Sequence, residues 1–495
     1  MPIAADPFLA TLALVGAVII ISALLSGLIE RSGFPQVAVL LGLGAVLGPY
    51  GLALLELTLE SPVLRAVSML SLALVLFTDA LSVDLAQIRK HARLTLLVVG
   101  PGTLLSAVLV TLAARWLLAL PWPAAAILGA ALASTDPVLL RGLLRRPDIP
   151  ADARLALRLE SGLNDVVLLP IVLVAMTLLG QSHGGEGVAW SRMGLNLFIL
   201  GPGAGIAIGF LGVAALDLMR KRLGIRRDYE SLYSLGLAFT AFAAAESVHG
   251  SGFLAAFAAG FVISVFDVEL CDCFQEYGET TAELALLFTF VLLGSSLIWS
   301  GLTVADGPTL LFAAVALLVR PVAFLTSLGP SRLDRKSLTL ITWFGPRGLS
   351  SLLLVLLPVF AGTPGSARLF SICCLVVLLS VLIHGGSLMV LGRAKAPPAP
   401  PVAAPAPPAR SLPIVESAGP GAPEERIPEQ IDIPGMLRLQ ASGEPVVVVD
   451  ARTSRSHEAS ETTARGSERI DPERSVHEAE RSHLPRDAWL IIFCA

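Results

Sequence analysis

The 495 residues would allow about three ordinary soluble domains, but the composition excludes a soluble protein for most of the chain. Hydrophobic residues make up 54% and charged residues only 15%, and the mean hydropathy is +0.76. A soluble domain carries about 25% charged residues. The net charge of −4 excludes a broad basic surface for nucleic acid, and five cysteines are too few for a disulfide scaffold.

The apolar residues fall into thirteen stretches, each long enough to cross a hydrocarbon core of about 30 Å as a helix. The start, MPIAADPF, lacks the basic segment of a signal peptide, so the first stretch is interpreted as an anchor. A segment in lipid must satisfy its own backbone, so the predicted fold is an all-α multi-pass membrane protein. The predicted spans, numbered one to thirteen, cover residues 8–29, 34–52, 63–82, 92–120, 122–145, 153–180, 193–220, 229–248, 250–267, 280–300, 303–328, 336–361 and 367–392.

The basic residues predict the orientation in the cell membrane. Most of them lie in loops after odd-numbered spans, for example Arg89, Lys90 and Arg93 after span three. The positive-inside rule then places the N-terminus outside and the C-terminal tail in the cytoplasm. The loop after span nine is acidic, which does not reverse this orientation because acidic residues contribute little to it.

Two spans are predicted to be discontinuous. In span five, Pro137 removes a backbone donor and pushes the preceding Asp136 away from helical angles. Span twelve has a similar break at Gly345-Pro346, next to Arg347. The two spans differ by seven positions in chain order, an odd number, so they are predicted to run in opposite directions. Spans two to six and nine to thirteen are therefore expected to form an inverted repeat, as in secondary transporters. Two ordinary kinked helices are the alternative.

The candidate site is defined by polar residues near the middle of the membrane, where a charge is costly. Asp165 lies ~18 Å into span six, and Asp136 and Arg347 lie at similar depth, at about 1.5 Å per residue. Ser161 shares one helix face with Asp165. With the carbonyls freed near Thr135, these hard oxygens suit a small cation such as Na⁺, and a buried polar network without an ion is the alternative.

The other charged groups have more than one interpretation. Glu160 shares the adjacent face with Asn164 and is expected to form a structural ion pair with Arg320 of span eleven; a direct ligand role for Glu160 is the alternative. Arg320 would otherwise extend to the cytoplasmic surface. Arg347 is expected to offset Asp136 and the carbonyl ends of the broken helices.

Four motifs together resemble the NhaP-type sodium/proton antiporters, the bacterial relatives of the eukaryotic sodium/hydrogen exchangers. They are STDPV at 134–138, ESGLND at 160–165, RPV at 320–322 and GPRGLSS at 345–351. The resemblance covers about residues 8–392 and implies thirteen helices, an inverted repeat, crossed broken helices five and twelve, and a homodimer. GPRG replaces the more usual GLRG, and LFTDAL replaces an FEGGL-like pattern in span three, which leaves the preferred cation open.

The resemblance also implies roles for individual residues. Asp165 would be the ion-binding and proton-carrying carboxylate, with Ser161 and the Thr135 main chain as ligands. Asn164 stands where electrogenic relatives have a second Asp, which implies electroneutral exchange. The remaining matched residues are Asp136 and Glu160 close to the ion, Arg347 at the helix crossing, and Arg320 as the partner of Glu160.

The composition changes after Leu391. Residues 393–429 are predicted to be a disordered Pro/Ala-rich linker, and residues 430–495 have a globular pattern with strands at 446–449 and 489–493. GEPVVVVDAR and AWLIIFC resemble two strands of a rhodanese-like domain, the second delivering Cys494. The loop that would cradle a persulfide is missing after Cys494, so we expect a truncated or decayed domain with a regulatory role.

The predicted function is secondary antiport of Na⁺, or Li⁺, against H⁺ by competition at Asp165, with a role in pH homeostasis. We expect no cofactor, no transition metal, no nucleic acid partner and no enzymatic activity. A K⁺/H⁺ exchanger on the same scaffold and an ion channel or sensor with a regulatory tail are the alternatives. A weaker one is a membrane-tethered sulfur carrier that uses Cys494.

Overall fold

The computed structural model describes most of the helical region and three strands of the tail. The described residues are 36–83, 85–144, 146, 149–181, 190–223, 227–266, 272–331, 333–393, 445–452, 466–470 and 488–493, with residues 16, 20, 436 and 464. Nearly all of predicted span one lies outside this set, as do Cys494 and the predicted linker after Arg393. The chain divides into two compact units, Met1–Pro398 and Ala399–Ala495.

The first unit is helical, and every predicted span from residue 34 onward contains helix. The α-helices are Gln36–Leu47, Pro62–Leu81, Leu85–Lys90, Ala92–Leu97, Thr103–Leu117, Trp122–Ala133, Pro137–Leu144, Ala151–Gln181, Trp190–Gly194, Gly201–Leu223, Arg227–Ser247, Gly252–Val265, Asp272–Ser295, Ser300–Thr303, Gly307–Leu328, Arg335–Trp343, Leu349–Phe360 and Ser366–Arg393. π-helical turns at Val98–Gly102 and Leu195–Leu200 and a 3₁₀ turn at Leu297–Trp299 join neighbouring helices.

Within the described residues, seven helices are long and apolar enough to cross a membrane. The number rises to eight if the bent pair Leu284–Ser295 and Leu297–Thr303 forms one span. Shorter apolar helices at Gln36–Leu47, Gly252–Val265 and Leu349–Phe360 fall below that length. The chain is therefore a multi-pass membrane protein, and the count of thirteen spans stays a prediction.

Local sequence explains several features of these helices. The Asp306 side chain begins helix Gly307–Leu328 by accepting the N–H of Thr309 at 2.9 Å, because the first N–H groups of a helix have no partner inside it. The Asp334 side chain does the same for Arg335–Trp343. Pro101 lies inside the π-turn Val98–Gly102, whose wider hydrogen-bonding pattern tolerates the missing N–H donor of proline.

Small residues allow close packing in the predicted span seven. In GPGAGIAIG, a Cβ added to Gly205 would lie 2.7 Å from the Ala255 Cα in helix Gly252–Val265. Backbones that approach this closely leave no room for a side chain. This glycine-rich segment is therefore a helix-packing surface inside helix Gly201–Leu223.

The described part of the second unit is a parallel three-stranded sheet. Its strands are β1, Val446–Asp450, β2, Glu468–Arg469, and β3, Trp489–Phe493, in the order β2-β1-β3. The two strands predicted from the sequence are confirmed. At the end of β1 the Asp450 carboxylate pairs with Arg452, Oδ2 to Nη2, at 2.6 Å, and both side chains are buried.

Candidate functional site

Span five is broken at Ser134, Thr135 and Asp136, which separate helices Trp122–Ala133 and Pro137–Leu144. The break begins at Ser134, whose backbone is extended with φ −63° and ψ 138°. Pro137 then starts the second helix, at a position where a missing N–H costs nothing. All three residues of the break are buried, so their polar groups need partners inside the protein.

Span twelve has the corresponding break between helices Arg335–Trp343 and Leu349–Phe360. The two breaks contact each other directly, because the Asp136 N–H donates to the Pro346 carbonyl at 3.0 Å. The residues predicted to interrupt the two spans therefore lie together in the structure. Two independently kinked helices would not place their breaks in main-chain contact.

The Asp136 carboxylate neutralises two helix N-termini at this crossing. Its Oδ1 accepts the N–H of Val138 at 2.8 Å, and its Oδ2 accepts the N–H of Leu349 at 2.5 Å. A negative charge is stabilising where unpaired N–H groups converge. Both oxygens of this predicted ion-binding residue are thus engaged by the protein itself.

Arg347 serves the opposite helix end. Its Nη1 donates to the carbonyls of Ala133 at 2.8 Å and Ser134 at 3.0 Å, which lie where helix Trp122–Ala133 ends. A cation is stabilising at a helix C-terminus because the last carbonyls have no partner inside the helix. The Arg347 N–H in turn donates to the Ser380 Oγ at 2.7 Å.

Glu160 and Arg320 form a buried ion pair beside the crossing. Arg320 Nη1 contacts Glu160 Oε1, and Arg320 Nη2 lies 2.6 Å from Glu160 Oε2. Thr135 Oγ1 donates to Glu160 Oε1 at 2.8 Å, and Arg320 Nη2 also donates to the Ile341 carbonyl at 2.8 Å. Arg320 is only 1% exposed, so it does not extend to the cytoplasmic surface.

Asp165 lies on helix Ala151–Gln181 and is 1% exposed. The Ser134 hydroxyl donates to its Oδ1 at 2.5 Å. The neighbouring Asn164 Nδ2 donates to the Thr135 carbonyl at 3.4 Å, which ties this helix to the break in span five. In the part of the chain that the structure describes, no basic side chain pairs with Asp165.

The Ser161 side chain is hydrogen-bonded within its own helix. It lies one turn before Asp165 and is buried, but its hydroxyl donates to the Arg158 carbonyl of its own helix at 3.3 Å. The structure thus brings Thr135, Asn164 and Asp165 together through hydrogen bonds, while the Ser161 side chain is bonded elsewhere.

Sequence reasoning missed the serines around the crossing. Ser134 bonds to Asp165, Ser350 is buried in the first turn of helix Leu349–Phe360, and the Ser351 hydroxyl lies 3.5 Å from the Ser134 carbonyl. A lone serine is common in helices and carries no charge, so it gives little signal. The available clue was that all three lie inside the two motifs that break the spans.

This arrangement separates one carboxylate from the others. Asp136 is held by helix N-termini and Glu160 by Arg320, whereas Asp165 contacts the Ser134 hydroxyl. Within the described ranges, no group of three His, Cys, Asp or Glu side chains forms a transition-metal cluster. A buried carboxylate beside a hydroxyl oxygen can bind either a hard cation or a proton.

Comparison with known proteins places this architecture in a family. The family model described as "Sodium/hydrogen exchanger, transmembrane" matches residues 18–394. The chain is 26% identical over 387 residues to the K⁺/H⁺ antiporter NhaP of Alkalimonas amylolytica, covering 77% of this chain and 66% of that protein. It is 27% identical to the K⁺/H⁺ antiporter NhaP2 of Shewanella sp. (strain MR-4), covering 78% and 68%. It thus spans about two thirds of the length of these relatives.

The fold resembles a solved structure. The sodium proton antiporter MjNhaP1 of Methanocaldococcus jannaschii at pH 8 superimposes with a TM-score of 0.63 at 20% sequence identity. The match covers 77% of this chain and 99% of that one. The chain therefore belongs to the transmembrane sodium/hydrogen exchanger family, whose members are membrane transporters that exchange a monovalent cation for a proton.

Proposed function

We propose that this protein exchanges Na⁺ for H⁺ by competition at Asp165. The observation that carries the proposal is the state of this carboxylate, which is buried and hydrogen-bonded to Ser134 without a basic partner among the described residues. A buried carboxylate is strongly favoured to bind a positive charge. Na⁺ and H⁺ both supply that charge. A proton on the carboxylate removes its negative charge and so weakens Na⁺ binding, and the two therefore compete.

The energies of the two competitors are similar in size. A cation ~4 Å from a carboxylate gains ~4 kcal/mol at an effective dielectric constant of 20. The free energy of protonating a carboxylate changes by ~1.4 kcal/mol for each pH unit. A few pH units therefore balance the cation, so each ligand can displace the other. One exchanging carboxylate gives one proton for one cation, which makes the exchange electroneutral.

The fixed charges around Asp165 support this assignment. Asp136 and Arg347 neutralise opposite helix ends, and Glu160 and Arg320 neutralise each other. Their positions are set by hydrogen bonds to the protein, so the charge that changes in the cycle is that of Asp165. We infer that Thr135, Ser161 and Asn164 supply oxygen atoms to the cation in part of the cycle.

The broader assembly is part of the same proposal. Thirteen spans, with the N-terminus outside and the tail in the cytoplasm, agree with the distribution of basic residues. An inverted repeat with spans five and twelve crossing, and a homodimer, follow from the resemblance to NhaP-type antiporters. The tail is proposed to be a rhodanese-like regulatory segment; its parallel sheet supports an α/β fold, and Cys494 lies outside the described residues.

The experiment is proton flux in everted vesicles that contain the protein and a pH-sensitive dye. Addition of Na⁺ should alkalinise vesicles with the unmodified protein, and Asp165→Asn should abolish the response because an amide neither titrates nor carries the charge. Asp152→Asn is the matched control, since Asp152 is an exposed acid at the start of the same helix. Sodium-driven alkalinisation by a normally inserted Asp165→Asn protein would overturn the proposal.

K⁺ is the second candidate cation. The two relatives from Alkalimonas and Shewanella are both named K⁺/H⁺ antiporters. Proteoliposomes with Na⁺, Li⁺ and K⁺, with and without a voltage, separate the candidates by the KM of each cation. A voltage-dependent rate would contradict electroneutral exchange, and a current that does not saturate would indicate a channel.

A further inference from the structure

The Ser134 side chain stands at the point where the broken helix meets the proton-carrying helix. Its hydroxyl lies 2.5 Å from the Asp165 Oδ1, and Ser134 is fully buried. The residue begins the non-helical break with an extended backbone. Its side chain therefore belongs to the break and not to the surface of a helix. It is the one residue of the break that bonds directly to this carboxylate.

The oxygens of Ser134 are not equally available. Its carbonyl accepts the Arg347 Nη1 at 3.0 Å and lies 3.5 Å from the Ser351 hydroxyl. Its hydroxyl has one proton, which it donates to Asp165, and two lone pairs. A cation that contacts the Asp165 Oδ1 comes within reach of those lone pairs after a rotation about a single bond. The hydroxyl is therefore the oxygen that this residue can give to an ion.

The neighbouring hydroxyls are placed differently. Thr135 Oγ1 donates to Glu160 and accepts from Arg320 at 3.2 Å, and Ser161 donates to the Arg158 carbonyl. Either group would have to break a bond to another residue before turning to an ion at Asp165. The Ser134 hydroxyl is already at Asp165, so it can turn from the carboxylate to an ion bound there without breaking a bond to any other residue. Its reorganisation should therefore cost less free energy than that of Thr135 or Ser161.

A hydroxyl at this place also suits each occupant of the site. With the empty carboxylate it donates, with the protonated carboxylate it accepts the acid proton, and with a bound cation it acts as an oxygen ligand. An alanine would fit the space and provide none of these. We propose that the Ser134 hydroxyl is a cation ligand and helps to determine which monovalent cation this protein exchanges.

This inference deepens the proposed function and rests on it. A ligand in contact with the ion contributes unequally to ions of different radius, whereas a group that only holds Asp165 in place affects all cations alike. The readout is therefore the KM of each cation and the ratio between them. The maximal rate alone would not separate the two roles.

The test uses proteoliposomes of the full chain with a pH dye and Na⁺, Li⁺ or K⁺. Ser134→Ala should raise the KM of the preferred cation by about tenfold, equivalent to ~1.4 kcal/mol, and should change the KM ratio between Na⁺ and K⁺. Ser134→Thr, which keeps the hydroxyl, should restore both values towards those of the unmodified protein. Ser106→Ala is the matched control, because Ser106 is a buried serine whose hydroxyl bonds to Gly102 of the preceding turn.

The outcomes distinguish this inference from the proposed function. Equal KM values in Ser134→Ala and the unmodified protein, or a uniform rise for all three cations, overturn the ligand role while antiport at Asp165 stands. Absence of cation-driven proton flux in the unmodified protein defeats the proposed function instead. If Ser134→Ala does not insert, Ser134→Cys decides, because the near-isosteric thiol is a poor ligand for hard cations: an unchanged KM ratio overturns the inference, and a changed ratio supports it.

Discussion

The Asp136 carboxylate is bonded to Leu349, a residue more than two hundred positions away in the chain, at 2.5 Å. The contact joins the break in span five to the first turn of helix Leu349–Phe360. The second oxygen of Asp136 accepts the Val138 N–H at 2.8 Å. One side chain thus caps two half-helices from different spans, and this makes the crossing a single rigid unit rather than two separate kinks.

Replacement of Asp136 should destabilise the protein more than a surface acid does. Asp136→Ala removes two charge-assisted hydrogen bonds in a buried place, which should cost about 3 kcal/mol or more. Asp136→Asn keeps one acceptor oxygen, so its stability should lie between those of Asp136→Ala and the unmodified protein. Melting temperatures of the detergent-solubilised proteins measure the effect, with Asp152→Ala as the exposed control. An unchanged melting temperature for Asp136→Ala would contradict the capping role.

Gly348 should not tolerate a side chain. An added Cβ would lie 2.7 Å from the Asp136 Cγ, and the carboxylate cannot move away without losing its bonds to Val138 and Leu349. Gly348→Ala should therefore lower the melting temperature and the transport rate, with a cost of ~1–3 kcal/mol from overpacking.

Gly386→Ala provides the comparison for Gly348→Ala. Gly386 lies in helix Ser366–Arg393, and a Cβ there meets nothing within 4 Å. Alanine should be neutral or slightly stabilising at that position, since it restricts the unfolded chain. If both substitutions lowered the melting temperature equally, the close approach of Gly348 to Asp136 would not explain the loss of stability in Gly348→Ala.

The Glu160–Arg320 pair should show strong coupling in a double-mutant cycle. Glu160→Gln and Arg320→Gln each leave one buried charge without its partner, and such a loss costs about 3–5 kcal/mol. The double variant carries neither charge and should be more stable than the sum of the single effects predicts. Melting temperatures of the four proteins give the coupling, and additive effects would show that the pair is not a unit.

Much of this site can be predicted from the sequence, because an unpaired backbone group or charge costs a large free energy in the membrane. Proline after Asp136 and proline before Arg347 predict the two breaks by removing backbone donors, and the structure places both breaks in contact. A buried glutamate requires a cation, which made Arg320 the expected partner of Glu160. The predicted opposite directions of spans five and twelve rest on their positions in chain order.

The exact partners of each oxygen did not follow from the sequence. Asp136 was expected close to the ion, but the sequence does not show that its oxygens accept the main-chain N–H groups of Val138 and Leu349. The hydroxyl on Asp165 comes from Ser134 rather than Ser161. Helical spacing places Ser161 and Asp165 on one face, but rotamers and contacts across helices decide which bonds form. Those depend on the crossing, which a one-dimensional pattern does not describe.

Ser380 should be needed to hold Arg347 in position. The Ser380 Oγ accepts the main-chain N–H of Arg347 at 2.7 Å and is 3.1 Å from the His384 Nδ1, and all three residues are buried. Ser380→Ala leaves that N–H without its acceptor, which should cost ~1–3 kcal/mol. The Arg347 guanidinium caps the half-helix that ends at Ala133, so a displaced backbone should also slow transport.

Two further variants make the Ser380 prediction specific. Ser380→Thr retains an acceptor oxygen and should recover most of the melting temperature and rate. His384→Gln should have a smaller effect, because the Arg347 N–H donates to the Ser380 Oγ and not to His384. Thr177→Ala is the control, since the exposed Thr177 hydroxyl donates to the Leu173 carbonyl of its own helix. Ser380 lies in span thirteen and acts on the break of span twelve. A loss of rate with an unchanged cation KM would therefore mark it as a positioning residue. A changed KM with a normal melting temperature would instead place it at the ion.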